Sequence, residues 1–319
     1  MKKRYRQLTQ QQRYQIQASK EAGFSQTHIA LQVGCHKSTV SRELTRCKSR
    51  HYYAENAHKD ALKKRRSADK ATRFTPILWQ LILSQLARDW SPAAIAGRLT
   101  LEQGTQRVSH ETIYQWIYRD KKAGGPSHQY LLRAFRGYRK PRKAYDGRGL
   151  LRDRVAIDQR PEAANQRLHL GHWEGDTVHG QAGNLVTLVD RKSRFLEARK
   201  THSRKKSEVG QRLITMLNAH PSKTLTVDNG REFYGHKEIA HKASVAVYFA
   251  DPYASWQRGS NENANGLLRR YFPKGTNFNK VSAQALRRVV EKINLMPRKL
   301  HNWKSAYEIH YGESVALIT

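Results

Sequence analysis

Gly171-His172-Trp173-Glu174-Gly175-Asp176-Thr177-Val178 opens the stretch that decides the fold. Trp173 to Val178, Leu185 to Asp190 and Phe195 to Arg199 are short runs rich in β-branched and aromatic residues. Gly180, Gly183-Asn184 and Ser193 supply turn chemistry between them. This pattern predicts three antiparallel strands. Working outward, the sequence predicts a helix over Lys205 to Asn218, a short strand Thr224 to Val227, a helix near His236 to Lys242, a strand Val245 to Phe249, and a helix around Glu262.

Three strands, helix, strand, helix, strand, helix is the order of an α/β RNase H-like domain. In that order Asp176 lies in the first strand, Asp228 directly after the fourth, and Glu262 on the helix after the fifth, so the three carboxylates converge. Three such groups repel one another unless a divalent ion neutralises them. Hard oxygen ligands favour Mg²⁺, with Mn²⁺ as a substitute, and two ions about 3.5 to 4 Å apart suit phosphoryl transfer. Asp190, Glu174, Glu232 and Asp251 compete for the same role. Asp190, beside Arg191 and Arg194, reads as an ion-paired turn residue, whereas Glu174 shares a strand face with Asp176 and is the nearest rival. Spacing alone leaves that choice open.

At 100° per residue, Asn265, Gly266 and Arg269 share the Glu262 face of its helix, while Ala264, Leu267, Leu268 and Tyr271 lie opposite. Glycine there admits a phosphate backbone and Arg269 can meet a phosphate oxygen. Pro273 ends the helix. His172, at a strand entrance, reads as a surface or internally satisfied group before it reads as catalytic. Trp256 reads as a ring capping the core, with base stacking as its other use.

Upstream, residues 10 to 50 predict three short helices with Gly34 between the last two, a helix-turn-helix within an N-terminal DNA-binding domain, 1–50. Burying Val40, Leu44 and Cys47 turns Ser38, Ser41, Arg42 and Thr45 outward, with Thr39 beside them and Lys37 and Arg46 flanking, where they reach bases or phosphates. A basic linker helix follows over 51–73. A second helix-turn-helix is expected over 74–122, with Ser91 and Pro92 starting one helix and Ser109 the next. Ile113, Trp116 and Ile117 face inward there, and His110, Glu111, Gln115 and Tyr118 outward. Residues 123–165 form a basic linker, and 166–319 the catalytic domain with its C-terminal helices.

The formal charge of +33, from 59 Lys and Arg against 26 Asp and Glu, far exceeds what solubility requires and points to a nucleic-acid partner. No apolar run is long enough to span a membrane, and no signal region follows the basic start, so a cytoplasmic, chromosome-associated location is expected. Cys35, Cys47 and His51 fit no zinc spacing, and two cysteines make no disulfide framework.

The chain resembles the DDE transposases of insertion sequences, specifically the family named after insertion sequence thirty. The resemblance runs along essentially the whole chain. It is carried by Gly23-Phe24-Ser25-Gln26 through Ser38-Thr39-Val40-Ser41-Arg42-Glu43-Leu44, by Trp90-Ser91-Pro92, and by Val108-Ser109-His110-Glu111-Thr112-Ile113-Tyr114. In the catalytic part it is carried by Gly171 to Val178, by Thr226-Val227-Asp228-Asn229-Gly230-Arg231-Glu232-Phe233, and by Arg258-Gly259-Ser260-Asn261-Glu262-Asn263-Ala264-Asn265-Gly266-Leu267. The resemblance implies that Asp176, Asp228 and Glu262 hold the catalytic metals and that the helix-turn-helix modules bind terminal inverted repeats. It also implies in-line transfer with water and then a DNA 3′-hydroxyl as nucleophile, and a circular element intermediate. Paired element ends imply a homodimer or higher oligomer.

His36-Lys37 departs from the family's Ser-Pro start and weakens the expected cap of the recognition helix. Asn294 to Lys299 and Ser305 to Glu308 are blurred versions of Asn-x-Arg-Pro-Arg-Lys and Thr-Pro-x-Glu, which loosens the expected docking of the last helix. Two other functions compete: a DNA-binding regulator keeping the RNase H-like part as a scaffold, and a nuclease acting on branched or hybrid nucleic acid.

Overall fold

The computed structural model describes residues 7–46, 51–67, 75–104, 108–131, 153–252 and 254–316. The chain divides into two compact units, 1–72 and 73–319.

In the first unit, α1 (Gln10–Glu21) begins at a capping box in which Thr9 and Gln12 satisfy each other's backbone N–H groups. Ser25 caps α2 (Gln26–Val33), which stops at Gly34 in the left-handed region, φ 70°. The turn then enters α3 (Lys37–Arg46). Ile16, Ile29, Ala30, Val33 and Val40 form the core, and a buried Arg13–Glu43 ion pair at 2.6 Å ties α1 to α3. The weakened cap expected at His36 is met by the imidazole itself. Its Nδ1 accepts from the Ser38 N–H at 3.2 Å and lies 2.9 Å from Ser38 Oγ. Cys47, expected on the buried stripe, lies outside the described residues. The basic stretch forms α4 (Ala54–Ser67), whose Ala54 and Ala57 join the core beside Tyr52 while Lys64, Arg65 and Arg66 stay exposed.

In the second unit, α5 (Pro76–Ala87), α6 (Pro92–Gln103) and α7 (His110–Lys122) start at Thr75, Ser91 and Ser109, each hydroxyl accepting a first-turn N–H. Proline at the first position of α5 and α6 loses no hydrogen bond there. Trp79, Ile82, Leu86, Trp90, Ile95, Leu99, Ile113 and Ile117 pack together, and Met296, Leu267, Tyr271 and Trp303 join them. These helices therefore share a core with the C-terminal part of the chain. Of the basic linker, residues 132–152 lie outside the described residues; a one-turn helix, α8 (Glu162–Asn165), closes its described end.

The α/β part has the expected RNase H-like arrangement. β1 (His172–His179), β2 (Asn184–Asp190), β3 (Leu196–Thr201), β4 (Thr224–Val227) and β5 (Ala246–Phe249) form one sheet in the order β3-β2-β1-β4-β5. β1, β2 and β3 are antiparallel neighbours; β4 and β5 add in parallel. Period-two alternation sorts the faces. Trp173, Val186, Leu188, Leu225 and Val247 meet α9 (Lys206–Asn218) and α10 (His236–Ala243) through Val209, Leu213, Leu217 and Ile239. On the other face, Val178, Leu185, Val189 and Leu196 meet α11 (Gly259–Tyr271) and α12 (Ala283–Leu295) through Ala264, Leu268, Leu286 and Ile293.

The blurred C-terminal motifs still dock. Asn294 accepts from the Leu196 N–H and donates to its carbonyl, both at 2.8 Å, which covers the exposed edge of β3. α13 (Ala306–Tyr311) starts at a Ser305–Glu308 capping box. The Glu308 carboxylate takes both Arg98 Nη groups at 2.6 and 2.9 Å, with both side chains buried.

Candidate active site

Strand register brings two of the carboxylates together. Glu174 on β1 lies opposite Thr226 on β4 in a parallel pair, so two residues further along each chain Asp176 and Asp228 emerge side by side. Asp176 shares the parity of Val178, which faces α11. Asn265 of that helix donates to Asp176 Oδ2 at 2.8 Å, and the Thr177 N–H donates to Oδ1 at 2.8 Å. Asp228 Oδ1 accepts the Gly230 N–H at 2.9 Å.

A single guanidinium spans the pair. Arg258 Nη1 lies 3.6 Å from Asp176 Oδ1, and Nη2 donates to Asp228 Oδ2 at 3.2 Å. Nη1 also donates to the Gly175 carbonyl at 3.3 Å. Burial pushes the Asp176 carboxyl above its ordinary pKa; Arg258 pulls it down and Asp228 pushes it up again, leaving a net rise. Sequence reading missed Arg258. The available signal was a cation just before the glycine that opens the Glu262 helix.

Glu262 stands apart. It lies in the first turn of α11, one turn before Asn265, with its side chain exposed. Among the described residues no three acidic, His or Cys side chains come close enough together to hold a metal ion. The helix otherwise has the expected faces: Ala264 and Leu268 are buried, and Gly266 is exposed.

The rival carboxylates are occupied. Glu174, fully buried, pairs with Arg191 and accepts the Asn261 N–H at 2.9 Å, so it fastens the first turn of α11 to β1. Glu232 takes Arg204 at 2.7 and 2.9 Å and the Thr177 hydroxyl at 2.8 Å. Burial raises its pKa, but these donors outweigh it and hold it below the ordinary value. Asp190 is a turn residue, as expected, but through backbone N–H groups of Gly171, Lys192 and Ser193, with no ion pair among the described residues. The arginines beside it look elsewhere: Arg191 to Glu174, Arg194 to the Ser260 hydroxyl. Asp251 exchanges two hydrogen bonds with the Gln257 side chain, each 2.8 Å, and closes the loop before α11.

His172 is buried with Nδ1 2.9 Å from Thr224 Oγ1; burial first and Lys223 second lower its pKa. It is a satisfied internal group. The expectation for Trp256 fails: its ring is 74% exposed and caps no core. The Gln257–Asp251 clasp fixes the loop on either side of it and leaves the indole in solvent.

The residues expected to meet DNA occupy two helix faces. On α3, Lys37, Arg42 and Thr45 are exposed and Ser38, Thr39 and Ser41 half-buried, while Val40 and Glu43 point inward. Arg42 lies along the helix, Nε donating to the Ser38 carbonyl at 3.0 Å and Nη2 to its hydroxyl at 2.8 Å. The Arg46 side chain lies outside the described part of α3. On α7, His110, Glu111 and Gln115 are exposed. Arg269 is engaged within the protein, Nη2 donating to the His179 carbonyl at 2.6 Å.

Residues 4–46 match the family model described as a helix-turn-helix domain, and residues 166–255 match the integrase core domain. The chain is 38% identical over 299 residues to the transposase for insertion sequence element IS4351 of Bacteroides fragilis, covering 92% of this chain and 91% of that one. It is 36% identical to the transposase for IS1086 of Cupriavidus metallidurans (96% and 94% covered) and to transposase InsI for IS30C of Escherichia coli (95% and 82%).

Proposed function

Because the chain belongs to the IS30 family of transposases, we propose that it binds the terminal inverted repeats of its element and cuts and joins DNA strands at Asp176, Asp228 and Glu262. DNA binding is the work of the helix-turn-helix domain, and the integrase core is a polynucleotidyl transferase.

The observation that carries the reading is the carboxylate pair already spanned by a cation. Two aspartates side by side, one on β1 and one directly after β4, their facing oxygens 3.6 and 3.2 Å from one guanidinium, form a hard-oxygen site whose charge calls for a counterion. Asp176 and Asp228 would hold divalent ions, Mg²⁺ with Mn²⁺ substituting, and Glu262 would complete the set from the adjoining turn of α11. Bound there, the ions would activate the attacking oxygen and stabilise the leaving one.

The protein's own groups supply position. Asn265 and the Thr177 N–H fix both oxygens of Asp176, and the Gly230 N–H fixes one of Asp228. Glu174 holds the N-terminal turn of α11, and with it Glu262, against β1. The exposed faces of α3 and α7, Lys37 to Arg46 and His110 to Gln115, grip the DNA ends in this reading, while Arg269 braces the far end of the site until a phosphate competes for it. Two ends must be held at once, so the working form is a homodimer or larger.

Purified protein incubated with Mg²⁺ and a duplex carrying the terminal repeat should yield 3′ nicks or joined strands, and Asp228→Asn should yield none. No product with any divalent ion would count against the reading.

A further inference from the structure

We propose that Arg258 is a resident counter-cation: it spans Asp176 and Asp228, competes with the divalent ion for the same oxygens, and moves to a DNA phosphate when the ion binds. The inference rests on the reading that these aspartates hold the metal.

Three observations support it. First, the guanidinium divides itself between two carboxylates, one Nη on Asp176 Oδ1 and the other on Asp228 Oδ2. A bidentate clamp on a single carboxylate would be the stronger structural pair. Splitting the fork neutralises both acids at once, as a site awaiting a cation requires. Second, the arginine keeps unused donor capacity. Its Nε is buried with no partner among the described residues, which is costly in a purely structural arginine. Third, Arg258 sits at the residue before α11, where it makes no side-chain capping bond. The side chain can therefore leave without unwinding the helix that carries Glu262.

Competition has a thermodynamic consequence. An oxygen pair that pairs with Arg258 must release it to accept the ion, so Arg258 weakens metal binding in the absence of DNA. A phosphate that takes up the guanidinium removes this penalty, so DNA and metal each strengthen the other's binding.

The test measures Mn²⁺ binding to the full chain by the electron paramagnetic resonance signal of the free ion. Arg258→Gln should bind Mn²⁺ about tenfold more tightly than the native chain, within the ordinary range of coupling between sites. Arg258→Lys should stay near native affinity, and adding Asp228→Asn to Arg258→Gln should abolish the gain. Should Arg258→Gln bind no more tightly while Asp228→Asn weakens binding, the competition is overturned and the metal site stands. If neither substitution changes Mn²⁺ binding, the metal site fails and the inference with it. The native chain offers a check that survives misfolding of any Gln variant. The Arg258 Nε–H resonance, assigned by its loss in Arg258→Lys, should shift on Mg²⁺ addition. An unmoved resonance at a Mg²⁺ concentration that supports cleavage overturns the proposal.

Discussion

Glu174 and Asp176 sit two residues apart on the same face of β1 and do opposite jobs. Glu174 is sealed against Arg191 and the Asn261 N–H, so Glu174→Gln leaves a buried arginine uncompensated. It should cost about 3 kcal/mol of stability, seen as a lower Tm, because breaking one side of a buried pair strands the other. Asp228, half-exposed and hydrogen-bonded to Arg258 and the Gly230 N–H, should tolerate Asp228→Asn with little change in Tm while strand cleavage falls by roughly a thousandfold or more. Comparing melting curve and cleavage rate for the two variants separates the structural acid from the proposed ligand. Sequence alone could not separate them, because strand parity gives both acids the same face. What distinguishes them is Arg191, seventeen positions downstream of Glu174 and brought back beside it by the antiparallel β1–β2 pairing.

The order of the sheet elements and most helix starts were legible because their causes are local: period-two alternation, hydroxyl caps, proline at first positions. Contacts between distant elements were not. Gly97 on α6 lies flat against the Trp303 indole, and any Cβ there would overlap the ring. Gly97→Ala should destabilise the second unit by about 1 to 3 kcal/mol, the usual cost of overpacking, measured by denaturant unfolding. No periodicity in α6 announces that neighbour. The docking of α13 is likewise a matter of partners. Burial first of all lowers His310 to a pKa of about 4, with Asp190, His220 and Glu197 around it. Its folded form is neutral, so between about pH 6.5 and 4 the unfolded chain binds the extra proton, and stability falls as pH falls through that window. The loss should reach up to about 3 kcal/mol and shrink in His310→Phe, whose ring keeps the packing on Phe195. A Tm that is flat across that window in the native chain would contradict the assignment.

At the scale of the molecule, α11 is the element on which the parts meet. Ala264 and Leu268 pack on the sheet, Leu267 and Tyr271 on the α5–α7 core, and the Tyr271 hydroxyl donates to Asp89 at 2.8 Å. The helix bearing Glu262 therefore touches both the catalytic sheet and a helical module expected to hold DNA, a link invisible in a sequence where Asp89 and Tyr271 lie so far apart. The +33 charge was legible, and it predicts that affinity for a terminal-repeat duplex drops by about 10³-fold between 50 and 200 mM salt if six or more phosphates are contacted. A shallow salt dependence in a fluorescence titration would contradict that. Whether Asp176, Asp228 and Glu262 share the catalytic ions is decided by anomalous diffraction from a crystal of the DNA-bound protein soaked in Mn²⁺. Manganese peaks should lie in contact with oxygens of all three side chains. Peaks that leave any of the three unliganded, or no peak there in a crystal whose DNA is cleaved, would contradict that sharing.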